Sequence, residues 1–285
     1  VRIRNGPATV SGDEHHKVPL GNWEGVISRV IRKSGDLSEG HQGVAFPVIK
    51  VELFSFRDFS PSFSERRDGR SEMLNPSNIE NKSFEIITAI MNNRGTRSKY
   101  NDIEWEVVKR VVHTTGDPRI GEAITFSENF YEHFLKAIAT SRIVTDVNMV
   151  LSGISKVKFP DFSYECYIKD QSIAVKAKET GVSRSYLSME QALSMGDALF
   201  VIGNAPTALR RLLEGPSPSF IIGVPVGFVG ASEWKAKLIY SDVPHISISG
   251  SHGGSTIAVA ITNALLKYTT HEMIEGVKRK GVKKD

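Results

Sequence analysis

Two short apolar runs, Ala198–Ile202 and Phe220–Val224, carry no polar alternation and end at or beside a glycine. Runs of that length and character are strands buried on both faces of a parallel sheet. Between them Pro206–Leu213 has helical spacing, with Ala208, Leu209, Leu212 and Leu213 on one side, and it stops at Gly215-Pro216. The pattern predicts a strand–helix–strand unit whose strands end in glycine-containing loops, Gly203–Thr207 and Pro225–Gly230. Ligands of open α/β sheets sit outside the carboxyl ends of the strands, so these loops are expected to line one pocket.

The rest of the chain divides by its patterning. Residues 1–72 hold two short apolar pieces, Val26–Ile31 and Val44–Leu53, and the turn-rich stretch Ser60–Ser71. They read as a poorly ordered extension or upstream sequence, with a small accessory segment as the other reading. Residues 73–270 form the patterned domain, and 271–285 a basic, solvated tail. Within the domain Pro76–Ile90 and Asn101–Val112 are predicted helices, the second ending at His113 before Thr114–Pro118. A helix at Glu128–Ala139 leads to a strand at Ile143–Thr145 and the loop Asp146–Met149. Phe162–Ile168 alternates as a strand does, Ser172–Glu179 is helical, and Gly181–Ser185 is a polar loop before Met189–Met195. After the opening unit come a short helix at Ser232–Leu238, a strand at His245–Ser249, the turn Gly250–Ser255 and an apolar helix at Ile257–Leu266. Strands alternating with helices predict an α/β, three-layer, doubly wound and mainly parallel sheet.

Composition narrows the class. The chain has 285 residues, 40% hydrophobic and 24% charged, which suits one or two globular domains. No apolar run reaches the length of a membrane span, so no membrane partner is expected. The single cysteine, Cys166, leaves no disulfide framework, is read as a buried, inert thiol, and fits a reducing cytoplasm. A net charge of +4 favours anionic partners only weakly, and no nucleic-acid recognition motif accompanies it.

Several residues have the chemistry of a site. His113 at a helix carboxyl terminus suits a proton donor, because the helix dipole favours a cation there; a capping role is the plainer alternative. Arg184, in a Ser/Gly loop beside Ser185, has the planar fork that holds carboxylate or phosphate, or is an ordinary exposed arginine. Gly203 lets a ligand approach the backbone, Asn204 offers an amide, and the helix start near Thr207 favours anions. Gly227, Gly230, Gly253, Gly254 and Ser255 repeat that logic, though each loop is also readable as a tight turn. No GxxxxGK[ST], no GxGxxG after the first strand, no HExxH and no nucleophile elbow occurs, so neither a nucleotide cofactor nor a metal is called for.

Larger blocks carry more. Ser83-Phe84-Glu85-Ile86-Ile87, Val112-His113-Thr114-Thr115-Gly116-Asp117 and Thr145-Asp146-Val147-Asn148-Met149-Val150 are followed by Ser183-Arg184-Ser185 and Gly203-Asn204-Ala205-Pro206-Thr207-Ala208-Leu209. Gly223–Ala231 and Gly253-Gly254-Ser255 complete the order. In this order the blocks resemble the precorrin-8X methylmutase family over about Leu74 to Leu266.

The resemblance implies a flavodoxin-like fold, a homodimer, and an isomerase of cobalamin biosynthesis needing no cofactor. Its reaction would move a methyl group from C-11 to C-12 of an anionic tetrapyrrole, giving hydrogenobyrinic acid or, with cobalt, cobyrinic acid. By the same resemblance His113 is the acid that triggers a sigmatropic shift, while Arg184 and Ser83 line the active site. Asp146, Met149 and the glycine loops are expected at the substrate. A non-catalytic tetrapyrrole-binding protein, or a nucleotide-binding module on the same fold, are the competing readings. Two departures bear on this: Thr88 stands where many members have arginine, and Ser251-His252 replace basic residues before Gly-Gly-Ser. Arg119, Lys156 or Lys158 are the candidates to substitute as carboxylate clamps. The wording Thr-Thr-Gly-Asp and Thr-Asp-Val-Asn-Met is more like the cobalt-first, anaerobic branch.

Overall fold

The computed structural model describes residues 76–281; the readings made for residues 1–75 and for the last four residues lie outside that span. Helix α1 (Pro76–Asn93) and helix α2 (Asp102–Thr115) pair first, and the short α3 (Pro118–Glu122) turns the chain into strand β1 (Ile124–Phe126). There follow α4 (Phe130–Ile138), β2 (Arg142–Thr145), α5 (Asn148–Gly153), β3 (Ser163–Glu165), α6 (Gln171–Thr180) and α7 (Arg184–Ser194). The second half alternates regularly: β4 (Leu199–Ile202), α8 (Pro206–Glu214), β5 (Phe220–Gly223), α9 (Ala231–Ile239), β6 (His245–Ile248) and α10 (Ser255–Gly281).

The strands form one six-stranded sheet in the order β1-β6-β5-β4-β2-β3. All neighbours are parallel except β1, which runs antiparallel to β6 with Ile124 opposite Ile248. Counting only the parallel strands from β2, the order is 2-1-3-4-5, the flavodoxin-like winding. Every residue of β4, β5 and β6 is buried, so their unbroken apolar runs reflect cover on both faces. Ile143, Leu199, Val201, Phe220 and Ile222 pack with α1, α2, α4 and α10 in one layer. Their neighbours Val144, Phe200, Ile202 and Ile221 pack with α7, α8 and α9 in the other.

Winding direction reverses between β2 and β4, and a buried carboxylate sits at that junction. Asp146, directly after β2, accepts the amide hydrogens of Gly203 at 3.1 Å, Asn204 at 2.7 Å and Ala205 at 2.7 Å, all directly after β4. Burial pushes its carboxyl above the usual carboxylate range, against the pull of those amides. Gly203 matters for a second reason. A Cβ there would lie 2.8 Å from a Val150 methyl, 2.9 Å from Ala258 Cβ and 2.9 Å from Ser255 Cα, so its bareness lets α5 and α10 close over the strand end.

Some expectations are corrected. Asn148 and Met149 form the first turn of α5 rather than a loop. Arg184 and Ser185 open α7, because the Ser183 side chain accepts the Tyr186 amide at 3.3 Å and caps the helix. The strand predicted over Phe162–Ile168 shrinks to Ser163–Glu165 at the sheet edge. Cys166 just beyond it is only half-buried, with burial pushing its thiol up. The final helix does not stop at Leu266 but continues to Gly281, into the stretch read as a solvated tail. Neither β1 nor α3 was anticipated.

Two substitutions test this junction. Asp146→Asn puts an NH₂ group among amide donors and leaves a buried donor without its acceptor, an expected loss of about 2–4 kcal/mol. Gly203→Ala overpacks the contact with α5 and α10 and is expected to cost about 1–3 kcal/mol. Thermal unfolding should show melting points lowered by roughly 2–4 °C per kcal/mol; unchanged melting of either variant would remove that contact from the account.

Candidate active site

Helix α2 has both ends fixed by its own sequence. Asn101 accepts the Glu104 amide at 2.9 Å while Glu104 accepts the Asn101 amide at 2.9 Å, a reciprocal capping box. At the other end the amide of Gly116, in the left-handed conformation, bonds to the Val112 carbonyl at 2.8 Å. Ile103, Val107, Val108 and Val111 bury one face, which holds the helix in register and presents His113 from its last turn. The His113 Nδ1 lies 2.9 Å from Ser83 Oγ on α1. The ring also meets Phe84 edge-on, with centroids 5.3 Å apart, so the imidazole is held on two sides. Lys109 and Arg110 lie over the same Phe84 ring, and Arg110 is further paired with Glu80.

The glycine loops are joined to each other by backbone hydrogen bonds. The Gly227 amide donates to the Ser251 carbonyl at 3.2 Å, and the Gly254 amide to the Val224 carbonyl at 2.9 Å. A Cβ on Gly253 would run into the Val224 and Pro225 carbonyls, so only glycine permits this seam. Gly230 leads into α9, whose fully buried Lys235 donates to the His252 carbonyl. Burial pushes that ammonium down to about 8. Lys235 was not singled out from the sequence, although its spacing from Ala231 and Leu238 puts a lysine on the buried face of a helix. At the tip of the same loop Phe228 is 93% exposed and Val229 is 89% exposed, a pair the sequence reading also passed over.

A cleft of about 660 Å³ opens between α2, α5 and α10. Thr114, next to His113, lines it together with Met149, Gly153, Ser255 and Thr256. Of the expected site residues, the structure therefore brings Met149 and Ser255 into one cavity and Ser83 against His113. Asp146 lies beneath the β4 loop, and the amides of Gly203 and Asn204 are taken by it rather than offered outward. Arg184 belongs to the opposite layer. Its helix packs with Met189 and Ala192 into the core on the other face of the sheet. The Ser183 hydroxyl, 2.9 Å from that of Thr207, ties the start of α7 to the first turn of α8. Arg184 is exposed and forms no ion pair among the described residues. Ser185 beside it is half-buried.

The proposed substitutes for the missing basic residues differ in position. Arg119 is held by Asp117 at 2.7 Å and Lys156 lies over the Tyr164 ring, whereas Lys158 lines the cleft. Thr88 donates its hydroxyl to the Phe84 carbonyl at 2.7 Å, inside its own helix. Among the described residues no group of His, Cys, Asp and Glu could hold a metal ion, and no helix is long and apolar enough to cross a membrane.

Comparison with known proteins identifies the family. A family model described as precorrin-8X methylmutase matches residues 78–268. A cobalt-precorrin-8 methylmutase of Salmonella typhimurium is 42% identical, the match covering 67% of this chain and 94% of that one. Another, from Methanocaldococcus jannaschii, is 39% identical, covering 68% of this chain and 95% of the relative. The crystal structure of a precorrin-8X methyl mutase from Thermus thermophilus superposes with a TM-score of 0.59 at 34% identity, covering 66% of this chain and 94% of that one. With its family matched from α1 into α10, and with the fold in agreement, this chain belongs to the precorrin-8X methylmutase family and is an isomerase.

Proposed function

We propose that this isomerase moves a methyl group from C-11 to C-12 of cobalt-precorrin-8, giving cobyrinic acid in cobalamin biosynthesis, with His113 as the proton donor. The observation that carries the assignment is the Ser83–His113 hydrogen bond of 2.9 Å, one residue along α2 from Thr114 of the cleft lining. With Ser83 Oγ accepting from Nδ1–H, the imidazole keeps its proton on that side, and Nε2 is left to face the ligand. The acid gives the Nε2 proton to the macrocycle, the methyl group migrates to the adjacent carbon, and a proton returns to Nε2. Substrate and product are isomers, so no proton, electron or group is consumed.

The surroundings fit such a ligand. A flat apolar ring bearing carboxylates suits a cleft that mixes Met149 with the hydroxyls of Thr114, Ser255 and Thr256. Arg184, unpaired at the same end of the strands but on the other layer, is assigned to an anionic group of the substrate. A nucleotide module is disfavoured, because the amides after β4 that would take a phosphate already serve Asp146. The cobalt-carrying substrate is preferred over the metal-free one because the two relatives described above are both named for it. The protein is assigned to the cytoplasm as a homodimer, the arrangement its family resemblance implies.

His113→Ala should lower kcat by about 10²–10⁴-fold, the usual worth of a positioned acid, while the visible spectrum still shows product binding. Ser83→Ala removes one hydrogen bond of about 1 kcal/mol and should cost roughly 5–10-fold in kcat. Turnover of His113→Ala at the wild-type rate would take the imidazole out of the mechanism. Supplying purified protein with cobalt-precorrin-8 and with precorrin-8X, and following the spectra, should give the higher kcat/KM with the cobalt form. The reverse preference would move the chain to the metal-free branch.

A further inference from the structure

We infer that Lys158 and Lys267 are the carboxylate clamps of this chain, gripping the substrate's acidic side chains from the wall of the cleft. The inference rests on the isomerase reading for the identity of the ligand, and on the charges of the cleft for the residues.

Five ionisable side chains line the cleft, namely Glu80, Arg110, Lys158, Lys267 and His271. Glu80 and Arg110 form an ion pair across α1 and α2, and the guanidinium holds the Glu80 carboxyl below its usual range. That pair is internally neutralised. Lys267 contributes to the field at Glu80 without bonding to it, and neither Lys267 nor Lys158 forms an ion pair with a described residue. Two exposed lysines in one cavity, neither ion-paired to a described residue, give the cleft a positive character that suits an anionic ligand.

Their placement follows from the fold. Asn263 of α10 accepts the Ser155 amide at 3.0 Å and donates to the Gly153 carbonyl at 3.1 Å. The turn after α5 is thereby fixed to α10 just before it reaches Lys158. Along α10, Lys267 stands roughly 18 Å from Ser255 at about 1.5 Å of rise per residue. The cleft thus runs along α10 from Ser255 to Lys267, and Lys158 follows the turn that Asn263 ties to that helix. This also accounts for the departures at Thr88 and Ser251-His252. The positive charge missing from α1 and from the β6 loop is supplied instead by the segment after α5 and by the middle of α10.

The test uses the full chain, with Lys158→Met, Lys267→Met and the double variant. Each is titrated by visible absorbance with cobyrinic acid and with the same ring carrying amidated side chains. Each single substitution should weaken binding of the acid by about 10-fold, as expected for one charge-assisted hydrogen bond, and the double variant by more. Binding of the amidated ring should be unaffected, the salt dependence of acid binding should flatten, and in turnover assays the loss should fall on KM rather than kcat. Equal affinity of the double variant and the wild type for the acid would overturn the assignment. So would an equal loss for acid and amidated rings, which would mark general damage to the cleft. If the wild type converts cobalt-precorrin-8 while the variants bind normally, the lysine assignment falls and the isomerase stands. If the wild type binds the acid through these lysines but converts nothing, the isomerase reading falls and the clamps stand.

Discussion

The contact on which the site depends is the Asp146 carboxylate held between two parallel strands. Burying an unpaired carboxylate would cost several kcal/mol, and the three amides after β4 are what make it tolerable. The same bonds fix the turn leaving β4, seat Gly203 against Val150 and Ala258, and so set how near α10 can come to the sheet. In doubly wound sheets this junction is the ordinary place for a ligand. Here the protein's own carboxylate fills it. A cavity lies displaced from it on the flank, between α2, α5 and α10, where it meets the end of the helix that carries His113.

That displacement explains what could and could not be read from the sequence. The β4–α8–β5 unit was legible to within a residue or two, because unbroken apolar runs and a proline–glycine-bounded helix leave few alternatives. His113 was legible as a helix-end residue, although the helix reaches Thr115, past the predicted stop at Val112. Asp146 could be named but not placed, since its partners lie 57 to 59 positions away. Arg184 read as a loop residue because a serine cap is visible only once Ser183 is known to precede a helix. The three residues of β1 are too few to show alternation, and their strand depends on β6 for its existence.

The cleft was the least legible part. Its α10 wall, Thr256, Ala260, Asn263 and Lys267, has helical spacing, but the sequence reading ended that helix at Leu266. Lysine and threonine after an apolar run look like the end of a buried helix. Packing decides otherwise: Thr269 is buried and its hydroxyl returns to the Leu265 carbonyl at 3.0 Å, so the helix continues against α2 and α4. Lys267, one residue past the predicted end of that helix, thereby becomes part of a cavity wall.

A division of labour follows from the reaction itself. Substrate and product of a methyl shift differ by the position of one group, so contacts to peripheral carboxylates have nearly the same strength before, during and after the step. Such uniform binding sets KM and leaves the barrier untouched. Only the contact through which a proton moves changes between ground state and transition state. Clamps can therefore be exchanged, an arginine on α1 for a lysine on α10, provided that the net charge of the cleft is kept. The proposed proton donor has no such freedom, because one of its two ring nitrogens is already engaged by Ser83 at 2.9 Å. Under the proposed mechanism the departures at Thr88 and Ser251-His252 fall on the exchangeable side of the site, and the methyl shift passes through neither.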